Sequence, residues 1–490
     1  MNSRFLTAIF SLVLCLLVRS ASANQPNIIF FLTDDQRNDT LGCAGHPIVK
    51  TPTIDRLAED GVRFSNAFVS HSICWVSRTT LLTGLTARSF GQKNAPDAAT
   101  MKSLENFCPD LLKSAGYRTA HVGKWHAKTP KKFKPKDHFD LFKPITRHPY
   151  FKLQPDGSKR HATEMVADRA IEFIEASPRN KPFAINVWFN ASHAEDGDKR
   201  PGIGHFPSPK AVDGMYEDIE MPAPRLGDPA IFASQQDHLK QSINRERFFW
   251  RWDTPSKFET NLRAYYRMLS GIDGAIARVL KALDERGLTD NTIIVYSADN
   301  GYYMGDRGFA GKWSHYEQSL RVPLIIFDPR QPKSNSGRVV DQMALNLDLP
   351  STFLEWAGVE VPAAYQGRSL VPIVNQSPLE SKWRDDFFCE HVTLAPKLTW
   401  EGVRGKRYVY ARYFDQVPPV EYLHDLQTDP DQLRNVVKDK GYQNPLQEMR
   451  SRCDALVDKY GGSLVPLEER PNTWYPRKRR ALKENKSGAK

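Results

Sequence analysis

The chain has 490 residues, 40% hydrophobic and 26% charged, with a formal net charge of +11. That length and balance exclude a disordered or fibrous protein and allow one large domain or two smaller ones. The positive surplus draws the chain towards polyanions, among which sulfated glycans, anionic surfaces and nucleic acid all qualify.

At the N-terminus Arg4 precedes an apolar run over 5–18, and Ala21-Ser22-Ala23 follows. This is the order of a secretory signal peptide over 1–23, with the mature chain starting near Asn24. The alternative is a membrane anchor, but the run is short for a span. The expectation is an exported protein, periplasmic or secreted, with no membrane attachment after cleavage. Cys15 leaves with the signal. Cys43, Cys74, Cys108, Cys389 and Cys453 remain. Five is odd, so at least one is unpaired. Cys453 shares a helical face with Leu446, Met449 and Leu456 and reads as a core residue.

Residues 27–32 are almost continuously apolar and run into Thr33-Asp34-Asp35. That pattern predicts a buried strand with polar chemistry at its C-terminal end. Residues 117–122, 183–189, 292–297 and 322–327 read as further buried strands. Helices are predicted over 164–176 and 262–286, the second stopping at Gly287. Such alternation predicts an α/β fold: a mostly parallel central sheet flanked by helices. Sites in such sheets gather beyond the carboxyl ends of the strands. Residues 201–224, rich in Pro and Gly, predict a long loop near the site. Beyond about 385 the texture changes to short aromatic and β-branched runs at 387–392, 407–413 and 421–426, then a helix over 443–459. This predicts a smaller C-terminal antiparallel sheet with one packing helix. The expected division is a signal at 1–23, a catalytic domain at 24–385, a C-terminal subdomain at 386–475 and a basic tail at 476–490. The tail contains Arg477-Lys478-Arg479-Arg480, and a second basic run covers 128–136. Both also fit solvated, unstructured segments.

Several motifs fall at strand ends. Asp34 and Asp35 follow the first strand, and Asp299-Asn300-Gly301 follows a later one. Taken singly, each also fits a turn. Together, three carboxylates and an amide make a hard oxygen set suited to calcium. Gly123-Lys124-Trp125-His126 closes the 117–122 strand. Lys124 and His126 face one side if the chain stays extended, so Lys124 can hold an anionic oxygen and His126 can act as a base. His193 follows the 183–189 strand. Lys312 precedes the 322–327 strand and suits a sulfate oxygen or a departing alkoxide. Isolated histidines and lysines of this kind are more often structural or solvated.

The most specific segment is Cys74-Trp-Val-Ser-Arg-Thr-Thr-Leu-Leu-Thr-Gly84. A helix over 77–82 puts Cys74 beside a helix N-terminus, which favours negative charge, with Arg78 one turn along. This segment resembles the signature of the formylglycine-dependent sulfatase family, within the alkaline-phosphatase-like superfamily. The family has Pro or Ala where this chain has Val76. Downstream, Arg321-Val322-Pro323, Asp348-Leu349-Pro350, Gly367-Arg368-Ser369-Leu370 and Tyr422-Leu423-His424-Asp425-Leu426 resemble family landmarks.

The resemblance implies an exported sulfatase acting on sulfate esters or sulfamates of a sulfated glycan. It implies conversion of Cys74 to formylglycine by a maturation enzyme, and one calcium ion held by Asp34, Asp35, Asp299, Asn300 and the modified Cys74. Arg78, Lys124, His126, His193 and Lys312 would line the sulfate, and His193 or Lys312 would protonate the leaving atom. The expected partner is a sulfated carbohydrate, with no nucleic acid. Two alternatives stay open: a phosphoester hydrolase of the same superfamily, and a non-catalytic sulfoglycan-binding homologue if Cys74 is not converted.

Overall fold

A computed structural model describes residues 25–91, 98–197, 205–392 and 398–465. The expected signal and basic tail lie outside these residues. Eight strands build the main sheet: β1 (Asn27–Thr33), β2 (Val62–Phe64), β3 (Arg118–Gly123), β4 (Leu141–Pro144), β5 (Phe183–Trp188), β6 (Thr292–Ala298), β7 (Leu324–Phe327) and β8 (Arg338–Val340). Their order across the sheet is β8-β2-β7-β6-β1-β5-β3-β4. β1 is central, paired in parallel with β5 on one side and β6 on the other. Every residue of β1 is buried, which is why its sequence is apolar without alternation. β7 alone runs against its neighbours.

Helices cover both faces. α1 (Pro52–Glu59), α3 (Ala162–Glu175) and α5 (Pro255–Glu285) pack on one face, where Ile54, Val166, Phe173, Ile272 and Leu283 join Ile29 and Phe31 of β1 in one core. On the other face α2 (Cys74–Thr83) and α6 (Asp348–Trp356) meet Ile28, Phe30 and Leu32. Successive residues of β1 therefore serve opposite cores, as the pleat requires. α4 (Ile243–Arg251) leads into α5. α5 starts at Pro255, two turns before the predicted 262. Thr254 caps it by accepting from the Lys257 N–H, and proline fits the first turn because its missing N–H costs nothing there.

The C-terminal sheet has four antiparallel strands: β9 (Asp386–His391), β10 (Trp400–Gly405), β11 (Tyr408–Tyr413) and β12 (Val420–Asp425). Helix α7 (Gln443–Lys459) covers one face, where Leu446, Cys453 and Leu456 pack on Phe388, Val403, Tyr410 and Leu423. Phe387, Cys389, Trp400 and Tyr413 point the other way, into the core of the main body. All five cysteines among the described residues are free. No helix among the described residues is long and apolar enough to cross a membrane.

Arg88 ties the C-terminal sheet to the main body. Its Nε lies 2.9 Å from Glu390 and its Nη2 lies 2.6 Å from Glu401, with all three side chains buried. Removing one partner of such a group strands charges out of water. Arg88→Ala is therefore expected to lower stability by about 3–5 kcal/mol. A urea titration checks this: the midpoint should fall with the slope unchanged.

Candidate active site

The carboxyl ends of β1, β3, β5 and β6 converge, and the predicted residues lie on the segments that leave them. Asp34 and Asp35 continue β1, Asp299 and Asn300 continue β6, and His193 lies in the turn after β5. Cys74 opens α2, behind an extended Ile73 that offers no side-chain cap. Its helix ends at Gly84, whose φ of +67° is the left-handed conformation glycine adopts freely. Asp34, Cys74 and Asp299 each place one ligand atom within 4.8 Å of the others, and all three are buried.

Cations surround this group. Arg78 donates from Nε to Asp299 Oδ2 at 2.8 Å and from Nη1 to the Lys124 carbonyl at 2.9 Å. It also lies against Trp188, 5.2 Å from the ring centre. Lys124 Nζ bonds Asp34, and Lys312 Nζ bonds Asp35. Burial disfavours the charge on Asp34, but Lys124, Arg78 and Lys312 outweigh it and hold that carboxyl below its usual range. Asp299 goes the other way. Burial, and then the neighbouring Asp34 charge, push it well above the usual carboxylate range despite Arg78. Two carboxylates this close resist ionising together until another cation joins them.

Asp35 lies next to the Asp34–Cys74–Asp299 group, its backbone N–H donating to Asp299 Oδ1 at 3.3 Å. Asp35 Oδ1 also accepts from Asn300 Nδ2 at 2.7 Å, and its Oδ2 lies 3.6 Å from His193 Nε2. Two buried oxygens, Asp34 Oδ1 and Asn300 Oδ1, have no hydrogen-bond partner among the described residues.

His193 Nδ1 is 2.8 Å from the Ala194 carbonyl. A carbonyl only accepts, so Nδ1 carries the proton and Nε2 is the acceptor end in the neutral ring. Burial and then the cations Arg147, Lys312, Lys124 and Arg247 hold this imidazole neutral.

The chain does not stay extended from Lys124 to His126. It bends at His126, which has φ +50°, so the extended arrangement fails there. Lys124 is buried while His126 lies at the rim, its ring edge-on to Trp75 at 5.6 Å. Partial desolvation, and then Lys124, lower the His126 pKa, with Asp34 opposing. The turn before it depends on Gly123, at φ +95°. A Cβ there would collide with the Trp188 carbonyl.

Sequence reasoning did not single out Arg147, Asp196 or Arg247. Arg147 follows β4, and Arg247 shares one face of α4 with Arg251, four residues on. That spacing is the one legible signal for the cluster. The described part of the predicted loop, 205–224, contains one short 3₁₀ turn, Lys210–Val212, and no strand.

The sulfatase family model matches residues 26–359, and the model for the C-terminal part of N-sulphoglucosamine sulphohydrolase matches 305–459. An N-acetylglucosamine-6-O-sulfatase of Bacteroides thetaiotaomicron is 28% identical, covering 92% of this chain and 90% of its own length. A structure solved in complex with its substrate, D-glucosamine-2-N,6-O-disulfate, matches with a TM-score of 0.74 at 24% identity, over 91% of this chain and 100% of that one. The phosphonate monoester hydrolase of Agrobacterium radiobacter matches with a TM-score of 0.71 at 21% identity, over 89% and 96%. The expected α/β architecture agrees with both solved structures, which at these identities bear on the fold alone.

Proposed function

The chain belongs to the sulfatase family and is a sulfuric ester hydrolase, and we propose that it removes sulfate from an amino sugar of a sulfated glycan, with formylglycine at position 74 and one calcium ion. One observation carries the reading: Asp34, Cys74 and Asp299 meet within 4.8 Å, ringed by Arg78, Lys124 and Lys312. The sugar class rests on the N-acetylglucosamine-6-O-sulfatase relative.

The donor set fits a hard cation. Asp34, Asp35, Asp299 and Asn300 would hold calcium together with residue 74, and the unpartnered Asp34 Oδ1 and Asn300 Oδ1 are oxygens of the right kind. Bound there, calcium would polarise the sulfate and offset its growing charge. Formylglycine at 74 would supply an oxygen nucleophile for covalent catalysis.

The chain's own residues do the rest. Arg78 and Lys124 stabilise negative oxygens near residue 74. Lys312 presents an ammonium to the departing oxygen or nitrogen. With its Nδ1 proton committed to the Ala194 carbonyl, the neutral His193 has none to give from Nε2 and is the weaker choice of proton donor. His126, a neutral ring at the rim, accepts the proton when the bound sulfate is expelled.

Cys74 and Val76 are both buried in α2, so a maturation enzyme must meet this segment before it packs. The Ala21-Ser22-Ala23 site supports export. A second reading, sulfamate cleavage, is favoured by the N-sulphoglucosamine sulphohydrolase match over 305–459.

Ion chromatography of sulfate released from glucosamine 6-O-sulfate and glucosamine 2-N-sulfate separates ester from sulfamate. Faster turnover of an aryl phosphate than of every sulfate would move the reading to a phosphoester hydrolase. A peptide mass showing thiol at 74 in all molecules, with sulfated sugar still bound, would favour a non-catalytic binding protein.

A further inference from the structure

Beside the Cys74 centre three arginines share one acid. Asp196 Oδ2 lies 3.2 Å from Arg247 Nη2 and 3.7 Å from Arg147 Nη2, and Asp196 Oδ1 binds Arg251. Arg251 is fully buried behind the other two, whereas Arg147 and Arg247 keep 19% and 14% of their side chains open. The cluster is therefore two positive charges in excess. Guanidiniums buried to this degree are costly without matching anions. Arg247 Nε, Arg251 Nε and Arg251 Nη1 also have no hydrogen-bond partner among the described residues.

The cluster adjoins the reaction centre. The Arg247 guanidinium lies over the Trp313 ring, 5.0 Å from its centre, and Trp313 follows Lys312. Burial opposes the charge on Arg147, and Tyr150, Asp196, Asp34 and Cys74 more than compensate. Both arginines act on His193 as well. Glu195, beside Asp196 in the chain, is 3.1 Å from His148 Nδ1. It does not complete the neutralisation of the arginines.

We propose that Arg147 and Arg247 form a second anion subsite that reads a sulfate or carboxylate of the substrate other than the one being removed. Guanidinium forks suit both groups, since each presents paired oxygens to parallel N–H donors. Arg251 and Asp196 act as positioning residues that fix the two forks. This deepens the sulfatase reading and rests on it: the preferred substrate carries at least two anionic groups close together.

Three probes separate the cases: glucosamine 6-O-sulfate, glucosamine 2-N,6-O-disulfate, and a uronate-linked glucosamine 6-O-sulfate disaccharide. The wild-type protein is expected to prefer at least one of the two-anion probes by tenfold or more in kcat/KM, mainly through KM. The probe that wins identifies sulfate or carboxylate. In Arg147→Gln and Arg247→Gln that ratio should shrink at least tenfold, and Arg247→Lys, which keeps the charge but loses the fork, should fall between.

Equal losses on all three probes, or a wild type without preference, overturn the subsite. Calorimetric binding of the same probes to Cys74→Ala protein gives the answer independently of turnover. If no probe releases sulfate yet two-anion binding depends on Arg147 and Arg247, the subsite stands and the catalytic reading fails.

Discussion

Cys74→Ser protein, with the introduced serine shown by mass to be unmodified, is expected to release about one equivalent of desulfated sugar and then stop. A serine hydroxyl at 74 has the reach to attack sulfur: the new S–O bond forms as the bond to the sugar oxygen breaks, and that oxygen leaves with a proton. The resulting serine sulfate has no second hydroxyl on the same carbon, so no elimination can free the sulfate. Escape requires water to attack sulfur in line with the serine oxygen, from the side the sugar has vacated, with the serine oxygen as the leaving group. The steady-state rate should therefore fall by on the order of 10⁴-fold or more, as when other covalent enzymes lose their nucleophile. Rapid-quench measurement of sugar release, with peptide mass to find retained sulfate, reads both halves. Sustained turnover near the wild-type rate, or no retained sulfate after a burst, would sink the covalent scheme.

The stall would isolate the role of residue 74, because the groups around it are held by packing. Arg78 is fixed by Asp299 and by the Lys124 carbonyl, and Lys124 by Asp34, all in a buried setting. A change of one atom at 74 leaves that frame in place. Mutation of Arg78 would instead strand Asp299, mixing a stability loss with the kinetic one.

Most of this frame was readable from the sequence, for a physical reason. β1, β5 and β6 are buried on both faces, so their apolar runs are long and unmistakable. The residues that follow them, Asp34, His193 and Asp299, then fall at strand ends by necessity. α7 was expected over 443–459 and spans Gln443–Lys459, since its apolar positions recur at helical spacing.

β10 was missed. Its sequence, Trp-Glu-Gly-Val-Arg-Gly, has two glycines and two charges and reads as a turn. Gly402 is there because the β11 backbone, at the Tyr410 carbonyl, approaches too closely for a side chain. The reversed direction of β7 is likewise invisible locally, because it depends on the long connection from β6 that also carries Lys312. Arg147, Asp196 and Arg247 lie on the segment after β4, the segment after β5 and helix α4, and only folding brings them together.

Calcium is expected to stabilise the protein, and Asp34→Asn to abolish that response. In the protein without metal, Asp34 and Asp299 are buried side by side, and burial and then the Asp34 charge push Asp299 well above the usual carboxylate range. A divalent cation would remove that conflict and occupy the unpartnered Asp34 Oδ1. Ligand that binds only the folded state adds about 2.7 kcal/mol at a hundred times Kd. For a chain of this size that amounts to a rise in Tm of roughly 2–5 °C. Asp34→Asn removes one carboxylate and leaves Lys124 without its partner, so affinity for calcium should collapse. Activity should fall by about 10²–10³-fold or more, the range seen when one electrostatic stabiliser is lost. Scanning calorimetry of chelator-treated protein across a calcium titration checks the first point, and sulfate release the second. A wild-type Tm indifferent to millimolar calcium, together with full activity after chelation, would leave the buried carboxylates neutralised by Arg78, Lys124 and Lys312 alone and remove the metal from the mechanism.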